Sequence, residues 1–185
     1  MEVRVPESPL SDGVVTLSPW TLDDAADIVG ALDGDPEIAH WMHQIPQPYT
    51  EAEARAYVSA SDVAWRAGTG ATFAVRDEGG TVTGSLGMRV IDAEDEVVEV
   101  GYWTAAGARR LGLTTRALVL LCRWLFDDVG AARVQLRADV LNVGSQRVAE
   151  KAGFVREGVL RSSGVNARLG RRVDYVIYSL LPDEV

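Results

Sequence analysis

The chain has 185 residues, 47% of them hydrophobic and 24% charged, with a formal net charge of −9 and a pI near 4.7. That size and composition fit one soluble domain, residues 1–185, with a sizeable core, and the acidic balance disfavours nonspecific nucleic-acid binding. No apolar run is long enough to span a bilayer, and Met1 to Leu10, with Glu2, Glu7 and two prolines, lacks the pattern of a signal peptide, so a cytoplasmic setting without a membrane partner is expected.

Residues 14–17 read as a short strand. Thr21 can cap a helix from Leu22, with Asp23 and Asp24 in the first turn, where the helix dipole favours negative charge; the helix ends near Asp33-Gly34. Asp35-Pro36-Glu37 opens a second short helix reaching Met42. Prolines at 46 and 48 break the pattern. Thr50-Glu51-Ala52-Glu53 is then a capping box for a helix ending near Ala67-Gly68, its stripe formed by Ala54, Tyr57, Val58 and Ser61 to Val63. Here the period changes. Residues 71–75 form a strand, Asp77 to Gly80 a turn, residues 81–90 the hairpin partner and 97–103 a third strand. A helix over 113–128 carries Leu113, Ala117, Leu120, Leu121, Trp124 and Leu125 at helical spacing, and Gly130 ends it. Cys122 lies within it; as the single cysteine it can form no intramolecular disulfide, and it reads as a small buried hydrophobe. Residues 133–139 alternate as a strand, 142–152 form a helix stopped by Gly153, and 154–160 and 174–181 close the chain as strands. An antiparallel meander followed by helix–strand–helix implies an α/β fold: a mixed sheet of about six to seven strands with helices on both faces.

The most informative stretch joins the third strand of the meander to the next helix: Glu99-Val100-Gly101-Tyr102-Trp103-Thr104, then Arg109-Arg110-Leu111-Gly112-Leu113-Thr114-Thr115. Backbone N–H groups at a helix start lack intrahelical partners and point outward with the positive end of the dipole, which suits phosphate. Gly112 leaves the backbone open to approach, and Arg109 and Arg110 add charge. It is neither a P-loop, since no Gly-Lys-Ser/Thr follows, nor a Rossmann turn, since Gly-x-Gly-x-x-Gly is missing. Alone, the turn marks an anion site or merely a solvated connection.

Arg109-x-x-Gly112-x-Thr114 resembles the Arg/Gln-x-x-Gly-x-Gly/Ala signature of the GCN5-related N-acetyltransferases (GNAT), departing from it at Thr114; many relatives also have glycine where Arg110 stands. Asn142-x-x-Ser145-x-x-x-x-Glu150-Lys151-x-Gly153-Phe154 is similar to the second recurrent stretch of that family, especially in the branch that acetylates ribosomal-protein N-termini. Leu136 to Asn142 and Pro48 to Ala54 also fit that branch. The resemblance runs from about Val14 to Leu181 and implies acetyl-CoA as co-substrate, no metal, and an amine acceptor. It implies that amides of the turn from Arg109 to Thr115 hold pyrophosphate, and that backbone groups of Tyr102, Trp103 and Thr104 pair with pantetheine. Ser145 takes the place of the donor to the coenzyme sulfur, and Asn142 that of a contact to the pantetheine arm or a water; Asn142 also suits the helix N-cap. Arg147 either meets coenzyme phosphate or is a solvated helical arginine.

Acetylation needs a neutral amine, yet lysine has a pKa of about 10.4 and an α-amine about 7.7–8.0. Glu99 is the candidate base: the resemblance implies a carboxylate there, and its apolar neighbours Val97, Val98, Val100 and Trp103 would raise its pKa by desolvation. The alternative is a glutamate on the solvent side of the strand. His40 and His43, with one cysteine, are too few for a zinc site. Trp41 and Trp103 suit either an acceptor groove or the core. Asp92, Glu94, Asp95 and Glu96 could meet a cationic acceptor or simply form a solvated turn, and Arg168, Arg171 and Arg172 are expected on the final hairpin. The acceptor is expected to be a protein N-terminal amine or a small amino sugar, polyamine or amino acid. A module that binds acyl-CoA without turnover is the non-enzymatic alternative. A homodimer is compatible with the chain but leaves no signature in it.

Overall fold

The computed structural model describes residues 3–185. Its elements follow the expected order: β1 Leu10–Ser11, β2 Val15–Pro19, α1 Ala25–Leu32, α2 Pro36–Trp41, α3 Glu51–Ala67, β3 Gly70–Asp77, β4 Val82–Asp92, β5 Val97–Thr104, α4 Leu113–Trp124, β6 Arg133–Asp139, α5 Val143–Lys151, β7 Val155–Asn166 and β8 Arg171–Leu180. Among the described residues the strands form one sheet in the order β1-β2-β3-β4-β5-β6-β8-β7. Eight strands exceed the expected six to seven. The one the sequence concealed is β1, two residues long and paired with Leu17 and Thr16 of β2, too short to show a period.

Local chemistry explains the helix boundaries. Asp35 accepts from the N–H groups of Glu37 and Ile38 at the start of α2. Thr50 and Glu53 form the expected capping box of α3, and Gly68 ends it in the left-handed conformation. The stripe of α3 differs in one respect: Ala54, Val58, Ser61 and Trp65 are buried, whereas Val63 is exposed. The helix expected over 113–128 is α-helical to Trp124 and closes in a π-helical turn, Leu125–Val129.

Two cores lie on the two faces of the sheet. On one, α4, the π-helical turn after it and α5 pack Leu118, Leu121, Leu125 and Ala149 against Phe73, Leu86, Val98, Val134 and Tyr178. On the other, α1, α2 and α3 pack Ile28, Leu32, Ile38 and Val58 around Trp20 and Trp103, whose rings stack 6.2 Å apart. Strand alternation then sorts β5: Val98, Val100 and Tyr102 face α4 and α5, while Glu99, Gly101 and Trp103 face the α1–α3 side. Cys122 is buried in the first core, where burial pushes its thiol up; it is not poised as a nucleophile.

Candidate active site

β5 and β6 are parallel neighbours, but they pair only from Val97↔Arg133 to Glu99↔Gln135. Beyond Glu99, β5 stays with β4 as far as Thr104, and β6 stays with β8 as far as Asp139. The sheet therefore splits. Backbone groups of Val100 to Thr104 and of Leu136 to Asp139 face a gap without a ladder between them, which an extended, amide-bearing arm can fill. The gap opens into a cleft of about 1500 Å³. Its lining includes Glu99, Tyr102, Trp103, Thr104, Arg109, Arg110, Leu111, Gly112, Thr114, Thr115, Asn142, Ser145 and Arg147. Leu113 is the exception among the expected residues: it packs on the core, leaving only its backbone for the site.

The turn before α4 has the character of an anion site. Gly112 is the N-cap at φ 80°, no side chain caps the helix, and no atom lies within 4 Å of where a Cβ would stand. The α2, α3 and α5 helices, by contrast, are capped by Asp35, Thr50 and Asn142. Arg110 also has a positive φ, 64°, a conformation that costs an L-residue about 1–2 kcal/mol. The glycine common at this place in relatives thus has a backbone reason, and arginine is held there against that preference. The Thr114 hydroxyl lies 2.7 Å from that of Thr104 and ties α4 to the end of β5.

Arg109 is not the free phosphate cation the sequence suggests. Its guanidinium donates to Asp35 at 2.6 Å and meets Glu37 at 3.0 Å, so it anchors the turn to α2. The Asp35 carboxyl feels a burial cost but is held below its usual range by backbone N–H groups and by Arg109. The cleft-lining cations without a carboxylate partner among the described residues are Arg110, Arg147, Lys151 and Arg171. Open turn amides, unpaired cations and an unladdered strand gap together fit the pyrophosphate and the amide-bearing arm of acetyl-CoA.

Three contacts position α5. The Gln146 amide donates to the carbonyls of Asp139 and Val140, at 3.2 and 3.0 Å. The Tyr178 hydroxyl donates to Glu150 at 3.1 Å. The Tyr102 hydroxyl donates to the Ser145 carbonyl at 3.0 Å and lies 2.8 Å from Ser145 Oγ. One phenolic proton cannot serve both partners. With it on the carbonyl, Ser145 Oγ–H donates to the Tyr102 oxygen or turns toward the cleft. Burial pushes the Tyr102 pKa up to about 12, against the opposing Ser145 bond. The sequence assigned Tyr102 a backbone role only. Asn142 accepts from the Ser145 N–H at 3.0 Å, the N-cap role.

Glu99 corrects the expectation of a raised pKa. Burial does push the carboxyl up, but hydrogen bonds and charge from Arg137 and Arg89 more than offset it and hold the group below its usual range. Arg89 meets Oε1 at 2.6 Å; Arg137 reaches Oε1 at 2.9 Å and Oε2 at 2.8 Å; the Gln135 amide donates to Oε2 at 3.2 Å. Arg137 also lies over the Tyr175 ring, 5.8 Å from its centroid. Among these, Arg89 was legible once β4 and β5 were read as a hairpin, since Arg89 and Glu99 are direct cross-strand partners. Arg137 and Gln135 arrive through a parallel pairing that leaves no local mark.

His40, Trp41, Met42 and His43 line the cleft on the α2 side. Trp103 lines it too but is buried in the second core. Asp92 ends β4, Glu94, Asp95 and Glu96 lie in the turn before β5, and these four do not line the cleft. Arg168, in the turn between β7 and β8, donates to the carbonyls of His43 and Ile45, bridging the hairpin to the loop after α2.

The acetyltransferase (GNAT) domain profile matches residues 15–155. The chain belongs to the GNAT acetyltransferases. Its donor is acetyl-CoA and its chemistry N-acetyl transfer. The Bacillus subtilis protein YdaF, provisionally named a ribosomal N-acetyltransferase, is 33% identical over 105 residues, which cover 57% of this chain and 56% of that relative's length. The uncharacterized N-acetyltransferase p20 of Bacillus licheniformis is 26% identical, with 92% of this chain and 94% of p20 aligned. Among solved structures, RimL, a ribosomal L7/L12 alpha-N-protein acetyltransferase in complex with coenzyme A, shares the fold with a TM-score of 0.80 at 18% identity, covering 96% of this chain and 98% of that one. Among the described residues no helix is long and apolar enough to cross a membrane, and no group of three or more His, Cys, Asp or Glu could hold a metal ion.

Proposed function

We propose that the protein acetylates an α-amine, the N-terminal amine of a polypeptide, by direct transfer from acetyl-CoA. The observation that carries this reading is the hydrogen bonding of Glu99, whose two oxygens are saturated by Arg89, Arg137 and Gln135. A carboxylate so held is a weak base. A lysine-type amine, pKa about 10.4, would need strong help to lose its proton, whereas an α-amine near 7.7–8.0 is substantially neutral at physiological pH. The names of YdaF and RimL point the same way.

In this reading the turn amides from Arg110 to Thr115 bind pyrophosphate with Arg147 and Lys151 nearby. The backbone of Tyr102 to Thr104 aligns the pantetheine arm. Ser145 Oγ–H donates to the departing thiolate, with Tyr102 holding the Ser145 backbone through its carbonyl, and Glu99 positions Arg137 rather than taking the amine's proton. Every residue used lies in one chain, so a dimer is not required, and a cytoplasmic setting, where acetyl-CoA is made, goes with it. The Arg168 bridge, which ties the β7–β8 turn to the loop after α2 beside the cleft residue His43, also favours a second reading, a small free amine such as an amino acid or amino sugar.

Coenzyme A release tests both. The panel is free-N-terminus peptides, Nα-blocked lysine peptides, amino acids, glucosamine and spermidine. Free-N-terminus peptides are expected to lead by at least tenfold in kcat/KM. Equal or faster turnover of blocked lysine peptides or spermidine would overturn the α-amine reading, and a lead by amino acids or glucosamine would replace it with the second. Binding of acetyl-CoA without release on any acceptor would leave a coenzyme-binding module.

A further inference from the structure

The chain is acidic overall, yet the β7–β8 hairpin is not. From Arg161 to Val173 there are four arginines, Arg161, Arg168, Arg171 and Arg172, and no aspartate or glutamate. Their placement is specific. Arg171, Val173 and Tyr175 alternate along β8 and line the cleft, on the same face as Glu99 and Arg137. The helices α1 and α3 pack chiefly over β3 and β4, so this part of the sheet face lies open beside α2. Its carboxylates are Glu99 and Asp139, which lies opposite Tyr175 and accepts from the Leu141 N–H. Glu99 alone answers both Arg89 and Arg137, and Arg171 has no carboxylate partner among the described residues. Arg168 is bound to carbonyl groups only. The acidic cluster from Asp92 to Glu96 lies elsewhere.

Resting on the N-terminal reading above, we propose that the acceptor polypeptide carries acidic residues at its third to fifth positions, and that Arg171 binds their carboxylates, with Arg137 adding charge behind it. Spacing supports the register. Arg171 is four residues beyond Tyr175, about 13 Å along a strand at roughly 3.3 Å per residue. An extended acceptor whose amine enters the strand gap near Arg137 and Tyr175 brings its third to fifth residues against Arg171. The Arg168 bridge blocks exit across the loop after α2 and steers the peptide along the hairpin. The same cationic face works against polyamines.

The experiment compares eight-residue peptides with one N-terminal serine and three variable positions, three to five, filled by Glu, Gln or Lys. The measurement is kcat/KM from coenzyme A release, at two ionic strengths. Glu peptides are expected to exceed Gln peptides by about tenfold or more, with a margin that shrinks at high salt. Arg171→Glu is expected to bring the Glu-to-Lys ratio below one, and Arg171→Gln to set it between wild type and the charge swap. These ratios are read within one active preparation, so loss of folding cannot imitate them. Equal turnover of Glu, Gln and Lys peptides would overturn the proposal while leaving the N-terminal reading standing, as would retention of the wild-type ratio in Arg171→Glu. Failure of all three peptides alongside turnover of free amines would bring down both.

Discussion

Replacing Glu99 with glutamine separates a proton acceptor from a structural anion. The carboxylate's side chain is 12% exposed, while Arg137 and Arg89 are 31% and 59% exposed. Charge-assisted hydrogen bonds contribute about 1.5–3 kcal/mol where shielded and about 1 kcal/mol or less where exposed. Discounting the Arg89 side accordingly, Glu99→Gln should cost about 2–3 kcal/mol. For a chain of this size that is a fall in Tm of roughly 5–10 °C. The pH dependence has a defined sign. The native carboxyl titrates below its usual 4.5, so its stabilisation is present above that value and is lost as pH falls through the lowered native pKa. The gap in Tm between wild type and Glu99→Gln should therefore hold from pH 6 to 8 and narrow progressively as pH falls below the usual 4.5. Turnover should respond differently. With no proton passing to Glu99, kcat should fall less than about tenfold, while acceptor KM rises as Arg137 loses its anchor. The acid limb of the kcat/KM profile should stay where the acceptor amine puts it. A true general base contributes about 10²–10⁴-fold. A hundredfold loss of kcat with an unchanged Tm and a vanished acid limb would refute this reasoning.

Ser145→Ala should lower kcat by about tenfold to a hundredfold while leaving the acetyl-CoA Kd within about threefold, because it removes a donor used only as charge develops on sulfur. Tyr102→Phe should produce a smaller kcat loss and cost about 1 kcal/mol of stability in denaturant unfolding; with its pKa near 12, Tyr102 should add no alkaline limb between pH 7 and 10. Arg110→Gly should raise stability by about 0.5–1 kcal/mol by relieving the positive φ, yet raise the acetyl-CoA Kd several-fold by calorimetric titration. A lower stability would contradict the strain, and an unchanged Kd would remove Arg110 from the phosphate site.

Much of this protein was legible without coordinates because the signals are local. Thr50 and Glu53 start α3, Asp35 starts α2, and Asn142 starts α5, each through a side chain bonding to an N–H two or three residues away. The meander β3–β4–β5 follows from period and turns, and the two separated glycine-containing stretches mark the family. The sequence by itself therefore determined the order of the main elements and the family.

The states of the site residues were decided only in three dimensions. Glu99 has apolar neighbours in sequence, which argue for a raised pKa; across the sheet it meets guanidinium groups from β4 and β6, and long-range charge overrides local desolvation. Arg109 sits in a phosphate-binding pattern but finds Asp35, 74 positions away. Ser145 meets Tyr102, 43 positions away, because alternation turns Tyr102 toward α5. The split between β5 and β6 that makes the cleft is a property of strand pairing, which no single segment encodes. Hydrogen bonds within a turn or a cap depend on near neighbours and can be read along the chain. Ion pairing and ladder termination depend on which strands lie side by side, and only the assembled sheet sets that.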